Sequence, residues 1–102
     1  MYLLEKTLEF DKWLRKLRDN KAKAKILFRL QRVESGNLGD FKSVSHGLTE
    51  LRIQYGKGYR IYYKKTDNHL ILLLIGGDKS TQEKDIDKAN KIWEQYQKNN
   101  KL

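Results

Sequence analysis

Residues 50–85 read ELRIQYGKGYRIYYKKTDNHLILLLIGGDKSTQEKD, and this stretch decides the fold. Leu51, Ile53 and Tyr55 alternate with Glu50, Arg52 and Gln54, and Tyr59, Ile61 and Tyr63 alternate with Arg60, Tyr62 and Lys64. A period of two is the mark of half-buried strands. Gly56-Lys57-Gly58 between them suits a short hairpin, because glycine accepts the positive φ such turns require. Thr66-Asp67-Asn68 makes the next turn, and the unbroken apolar run from Leu70 to Ile75 predicts an interior strand covered on both faces. Past Gly76-Gly77, Ser80 followed by Glu83 has the spacing of a capping box, and Ile86, Ala89, Trp93 and Tyr96 then share one helical face. Fraying is expected from Asn99 to Leu102.

Upstream, Tyr2-Leu3-Leu4 is short enough to be a first strand. Phe10, Trp13, Leu14 and Leu17 fall at i, i+3, i+4 and i+7, the apolar stripe of a helix, which Asp19-Asn20 interrupts. Ile26, Leu27, Leu30 and Val33 give a second stripe, with Lys21, Lys23, Lys25, Arg29 and Arg32 on the remaining sides and Gly36 as its stop. Asn37 to Gly47 shows no period and reads as a connecting or functional loop. The order is strand, two helices, three hairpin-linked strands and a last helix. It predicts an α+β domain, a mainly antiparallel sheet with the two N-terminal helices on one face, and the other face left for ligand.

A chain of 102 residues suits one domain, 1–102, with one modest core. It carries 22 Lys and Arg against 13 Asp and Glu, a net charge of +9, and such a field favours polyanions, nucleic acid first among them. Ten cations face five carboxylates in residues 1–35 and six face two in residues 41–68, so the binding charge is expected on the first two-thirds. The absence of cysteine excludes a disulfide framework, a thiol nucleophile and a cysteine zinc site, and two distant histidines make a poor metal cluster. No metal and no cofactor are expected. MYLLEKTLEF is too acidic and too briefly apolar for a signal peptide or membrane span, so a cytoplasmic protein is expected.

The segments WLRKL, ELRI, GKGYRIYY, LLLIGGDKSTQ and DIDKA, in order across residues 8–92, resemble the RelE/ParE toxin superfamily, most closely its HigB-like addiction-module killer branch. The resemblance implies a RelE-like fold and the toxin of a type II toxin-antitoxin system, held by a cognate antitoxin expected to be a helix-turn-helix DNA-binding protein. RNA-cleaving members act on mRNA at the ribosome without metal, the RNA's own 2′-hydroxyl attacking the adjacent phosphate. Such a reaction asks the protein for phosphate-stabilising cations and proton transfer.

On that resemblance Arg60 is the strand arginine that grips the scissile phosphate, since a guanidinium can hold two phosphate oxygens together. Lys79 matches a second catalytic cation, and Arg52 a basic position of the preceding strand, where Gln54 replaces a further cation. His46 is a candidate for proton transfer because imidazole titrates near neutrality. Gln54, Lys57, Tyr62 and Lys64 are expected to bind RNA, with Tyr62 supplying a stacking surface because Asp85 occupies a position where some relatives carry a tyrosine. Surface roles compete with each of these, including a Glu50 pair for Arg52. The alternatives in function are a ParE-like DNA gyrase inhibitor and a non-catalytic nucleic-acid-binding module.

Overall fold

A computed structural model describes residues 1–99. Its elements are β1 (Leu3–Lys6), α1 (Leu8–Lys16), α2 (Asn20–Glu34), β2 (Phe41–Ser43), β3 (Thr49–Ile53), β4 (Tyr59–Lys65), β5 (Leu70–Asp78) and α3 (Gln82–Asn99). They build an α+β domain on one five-stranded sheet in the order β1-β5-β4-β3-β2, antiparallel except where β1 runs parallel to β5. Residues 100–102, at the end expected to fray, lie outside the described residues. Among the described residues no helix is long and apolar enough to cross a membrane.

β5 shows why the apolar run reads as an interior strand. Ile71 and Leu73 pack toward α1 and α2 with Phe10, Ile26, Leu30 and Val33, while Leu72 and Leu74 pack toward α3 with Ala89 and Ile92. Complete burial of one such side chain contributes about 1.5–3 kcal/mol, so both faces of this strand drive folding. Its register with β4 jumps from Tyr62↔Ile75 to Tyr63↔Leu73, leaving Leu74 as the extra residue of a bulge. Leu74 and Ile75 therefore both join the α3 cluster.

The helix ends are set by side chains. Thr7 Oγ1 accepts the Phe10 amide and donates to the Leu74 carbonyl at 2.8 Å, capping α1 and tying it to β5. Asp19, expected merely to interrupt the helical pattern, is the N-cap of α2, and Gly36 follows its end at φ 94°.

Several expectations are corrected. The face thought open for ligand is covered over much of its area by α3, which returns across β4 and β5. The 37–47 loop holds β2, an exposed three-residue edge strand fixed by pairing with β3, and a single 3-10 turn at Ser45–Gly47. Leu27 is exposed, and Ala22 takes its place in the α2 stripe. Gly76 and Gly77 continue β5. Their missing side chains make room for the Trp13 ring on one face and the Asp85 carboxylate on the other. The cap beyond them is Asp78, whose carboxylate accepts the Ser80 amide at 2.8 Å while Thr81 closes the box, and Ser80 with Glu83 does not form it.

Candidate functional site

The β3–β4 hairpin places the cations. Register sets Arg52 opposite Arg60 and Glu50 opposite Tyr62 on the face shared with α3. Gly56 and Gly58 take φ of 56° and 75° in the turn, and the Lys79 amide reaches the Lys57 carbonyl at 3.4 Å, drawing the segment after β5 to the hairpin tip. Gly58 is also a close approach: a Cβ there would lie 3.3 Å from Arg60 Nη1 and 3.4 Å from Lys79 Cβ. The result is an open cavity of about 420 Å³ lined by Arg52, Gln54, Tyr55, Lys57, Arg60 and Lys79 with the two turn glycines.

Arg60 is anchored from below. Its Nη1 donates to the Gly58 carbonyl at 2.9 Å, and its Nε stands 3.7 Å from Glu50 Oε1, an ion pair too long for a hydrogen bond. Glu50 is fully buried; Tyr62 Oη donates to its Oε2 at 3.0 Å and Gln82 Nε2 does so at 2.7 Å. Burial beside this carboxylate pushes the Tyr62 phenol far above its ordinary value. Among the described residues, Glu50 Oε1 and Arg60 Nε make no hydrogen bond, so the charge of each is compensated by the other across that gap.

Arg52 is oriented from the side. Its Nε and Nη2 donate to Asp40 Oδ1 at 3.2 and 2.8 Å, and Gln54 Nε2 donates to Oδ2 at 2.9 Å. Those bonds, from Gln54 and then Arg52, hold the Asp40 carboxyl below its usual range. Arg52 thus pairs with Asp40, and not with Glu50 as the competing surface reading had it. Arg29 supports this corner from α2, giving Nη1 to the Arg52 carbonyl at 2.7 Å, Nη2 to the Asp40 carbonyl, and Nε to the Leu38 carbonyl at 3.1 Å. Arg29, read from the sequence as part of a solvated face, is part-buried, and that burial lowers its pKa against the opposing influence of Asp40.

The structure therefore brings Arg60, Lys79, Arg52, Gln54 and Lys57 around one cavity and leaves the remaining expected residues outside it. Tyr62 lies fully buried beneath α3 and offers no ring to a base. Lys64 is four residues, about 13 Å, farther along β4 than Arg60. Its ammonium donates to the His46 carbonyl at 2.8 Å and lies 5.4 Å from the Trp93 ring centre. His46 itself is exposed, with φ 61°, and its Nδ1 is 3.5 Å from Asn90 Nδ2. It precedes β3 in sequence, but β3 enters the sheet at the end opposite the hairpin. Asp85 is nearly buried against Gly77, accepts the Thr81 hydroxyl, and is raised above its usual pKa chiefly by that burial. No group of histidine, cysteine and carboxylate side chains suited to a metal ion occurs among the described residues.

Sequence reasoning missed Glu50, Asp40 and Arg29. Glu50 carried one available signal: with Thr49 it lies between hydrophobic Leu48 and Leu51. The other two join the site only through tertiary contacts and left no local mark.

Residues 12–94 match the family described as Phage derived protein Gp49-like. An uncharacterised protein of Haemophilus influenzae is 55% identical over 86 residues, covering 84% of this chain and 87% of that protein. A chain of the toxin-antitoxin complex RelBE2 from Mycobacterium tuberculosis superposes with a TM-score of 0.59 at 21% identity, covering 76% of this chain and 98% of its own length. That likeness establishes a shared RelE-type α+β fold.

Proposed function

The chain belongs to the phage-derived Gp49-like family, and from that premise we propose that it is a toxin of the RelE/ParE superfamily, HigB-like in type, that cleaves mRNA on the ribosome. The observation that carries the proposal is the cavity at the hairpin tip, where Arg52, Lys57, Arg60 and Lys79 converge and, among the described residues, no carboxylate or imidazole lines the wall. The fold shared with a chain of a toxin-antitoxin complex supports the same class.

In the proposed reaction the RNA 2′-hydroxyl releases its proton to water as its oxygen bonds to the adjacent phosphorus, the P–O5′ bond breaks with a proton delivered to O5′, and the products are a 2′,3′-cyclic phosphate and a 5′-hydroxyl. Arg60, already anchored on Gly58 and Glu50, offers its remaining guanidinium hydrogens to the phosphate oxygens without first paying for reorganisation. Arg52, steadied by Asp40, adds a second guanidinium. Lys79 is exposed at the cavity rim and is the suitable donor to the departing 5′-oxygen, since an ammonium can release a proton and a guanidinium does not. His46 has no part in this scheme. The catalysis is electrostatic, and one such donor contributes about 10²–10³-fold.

A cognate antitoxin, itself DNA-binding, would silence the protein by covering this face or by excluding it from the ribosome, and the activity would be exercised in the cytoplasm. The test is induction of the protein in cells with mapping of new mRNA 5′ ends. Codon-linked ends support the reading. Intact transcripts with gyrase-dependent DNA breaks would replace it with the ParE-like one.

A further inference from the structure

A second hollow of about 450 Å³ adjoins the cation cavity, and the two share Gln54 and Tyr55. Their chemistry differs. The first is walled mostly by guanidinium and ammonium groups, whereas the second is lined by Phe28, Tyr55, Ile53, Ala24 and Lys25 together with Arg29 and Gln54. Phe28 is 61% exposed on α2, outside the buried stripe of that helix. The Lys25 ammonium stands 5.2 Å from the centre of the Tyr55 ring, so a cation also borders the apolar floor.

A cationic pocket joined to an aromatic one matches the two halves of a nucleotide. Single-stranded RNA is held by phosphate contacts to cations together with stacking of its unpaired bases on aromatic rings. The chain's own geometry limits where such a base can go. Tyr62, on the face of Arg60, is fully buried, and Tyr59 is 6% exposed, so neither can present a ring. Tyr55 lines both hollows, and Phe28 lines the second. An amphipathic protein segment would also find apolar surface there, but the continuity with the cation cavity through Gln54 and Tyr55 favours a ligand that is anionic at one end and flat and apolar at the other.

We propose that the hollow between α2 and the end of β3 is a nucleobase subsite, in which Phe28 and Tyr55 stack the base of an RNA nucleotide whose phosphate lies among Arg52, Lys57, Arg60 and Lys79. This rests on the reading of the cation cavity as a phosphate site. The test compares two labelled probes by fluorescence anisotropy: a short single-stranded 2′-O-methyl RNA, which resists cleavage, and an abasic oligomer of equal length and charge. The base-bearing probe is expected to bind about tenfold more tightly, within the range of stacking on one aromatic platform. Phe28→Ala is expected to erase that preference while binding the abasic probe as the wild type does, and Tyr55→Leu to erase the preference as well. Lys79→Ala is expected to weaken both probes equally. Equal binding of the two probes by the wild type overturns the subsite and leaves the phosphate reading standing, whereas failure of both probes to bind overturns both. A preference retained in Phe28→Ala, with weakened binding of a co-purified antitoxin instead, makes the hollow a protein-docking face and also overturns the proposal.

Discussion

Glu50 and Arg60 form a pair whose response to a double-mutant cycle can be worked out from the geometry. Glu50 is fully buried, the Arg60 side chain is 12% exposed, and their charged atoms are 3.7 Å apart. Two unit charges near 4 Å at an effective dielectric of about 20 attract by about 4 kcal/mol. Removing one partner leaves the other charge uncompensated, a loss of about 3–5 kcal/mol. Glu50→Gln still offers a carbonyl oxygen to Tyr62 Oη, which places it near 3 kcal/mol, and Arg60→Gln should cost about the same. The double variant has no stranded charge and should cost less than either single, about 2 kcal/mol, giving a coupling energy of about 4 kcal/mol. In a domain of this size each single substitution would lower Tm by roughly 12–24 °C. Urea unfolding followed through Trp13 and Trp93 reads these values, with unchanged m confirming that only stability moved. Single losses below about 1 kcal/mol, or a double loss equal to the sum of the singles, would refute the reasoning. By the same reasoning Arg60→Ala should destabilise the fold, because that substitution strands Glu50 in the interior.

Gly76→Ala places a methyl group within the Trp13 ring and should destabilise by about 1–3 kcal/mol, with altered Trp13 fluorescence; a native-like Tm and spectrum would argue against the close packing of α1 on β5. Asp40 and Asp85 should respond oppositely to pH. Asp40 is held low by its hydrogen bonds, so its stabilisation is present above the unfolded pKa of about 3.9 and is lost as pH falls through the lower folded value. Asp40→Asn should therefore be less stable than wild type at about pH 6, the gap closing under strong acid in urea melts. Asp85 is raised by burial, so wild-type stability declines as pH rises from the unfolded pKa through the folded one. Asp85→Asn should lack that decline and be at least as stable at neutral pH, and a marked neutral-pH loss would show that the charge is needed.

The strands were legible because burial on one face imposes a period of two, and β3, β4 and β5 each have such a face or two. β2 was not, because its three residues are exposed and owe their extended form to β3 alone. Glu50 was misread for a related reason. Polar residues at alternate positions ordinarily face water, but α3 folds back over this face and encloses the carboxylate, a tertiary event that β3 cannot announce. Arg52, Lys57 and Arg60 came together as expected since a tight hairpin fixes neighbours from sequence alone. Asp40 and Arg29 reach the same corner from 12 and 23 residues away from Arg52, the latter through backbone carbonyls that any sequence supplies. His46 and Lys64 fell away because they stand at the other end of the same two strands.

Whether the hairpin cavity cuts RNA on the ribosome is read out by a reconstituted assay. Purified protein is added to ribosomes carrying a defined mRNA codon in the A site, and the RNA ends are sequenced, with Lys79→Ala in parallel after its urea midpoint has been matched to wild type. Breaks at the A-site codon are expected with the wild-type protein, and about 10²–10³-fold slower cleavage with Lys79→Ala. Messenger RNA left intact by the wild-type protein, or cut equally fast by the variant, would contradict cleavage by this cavity.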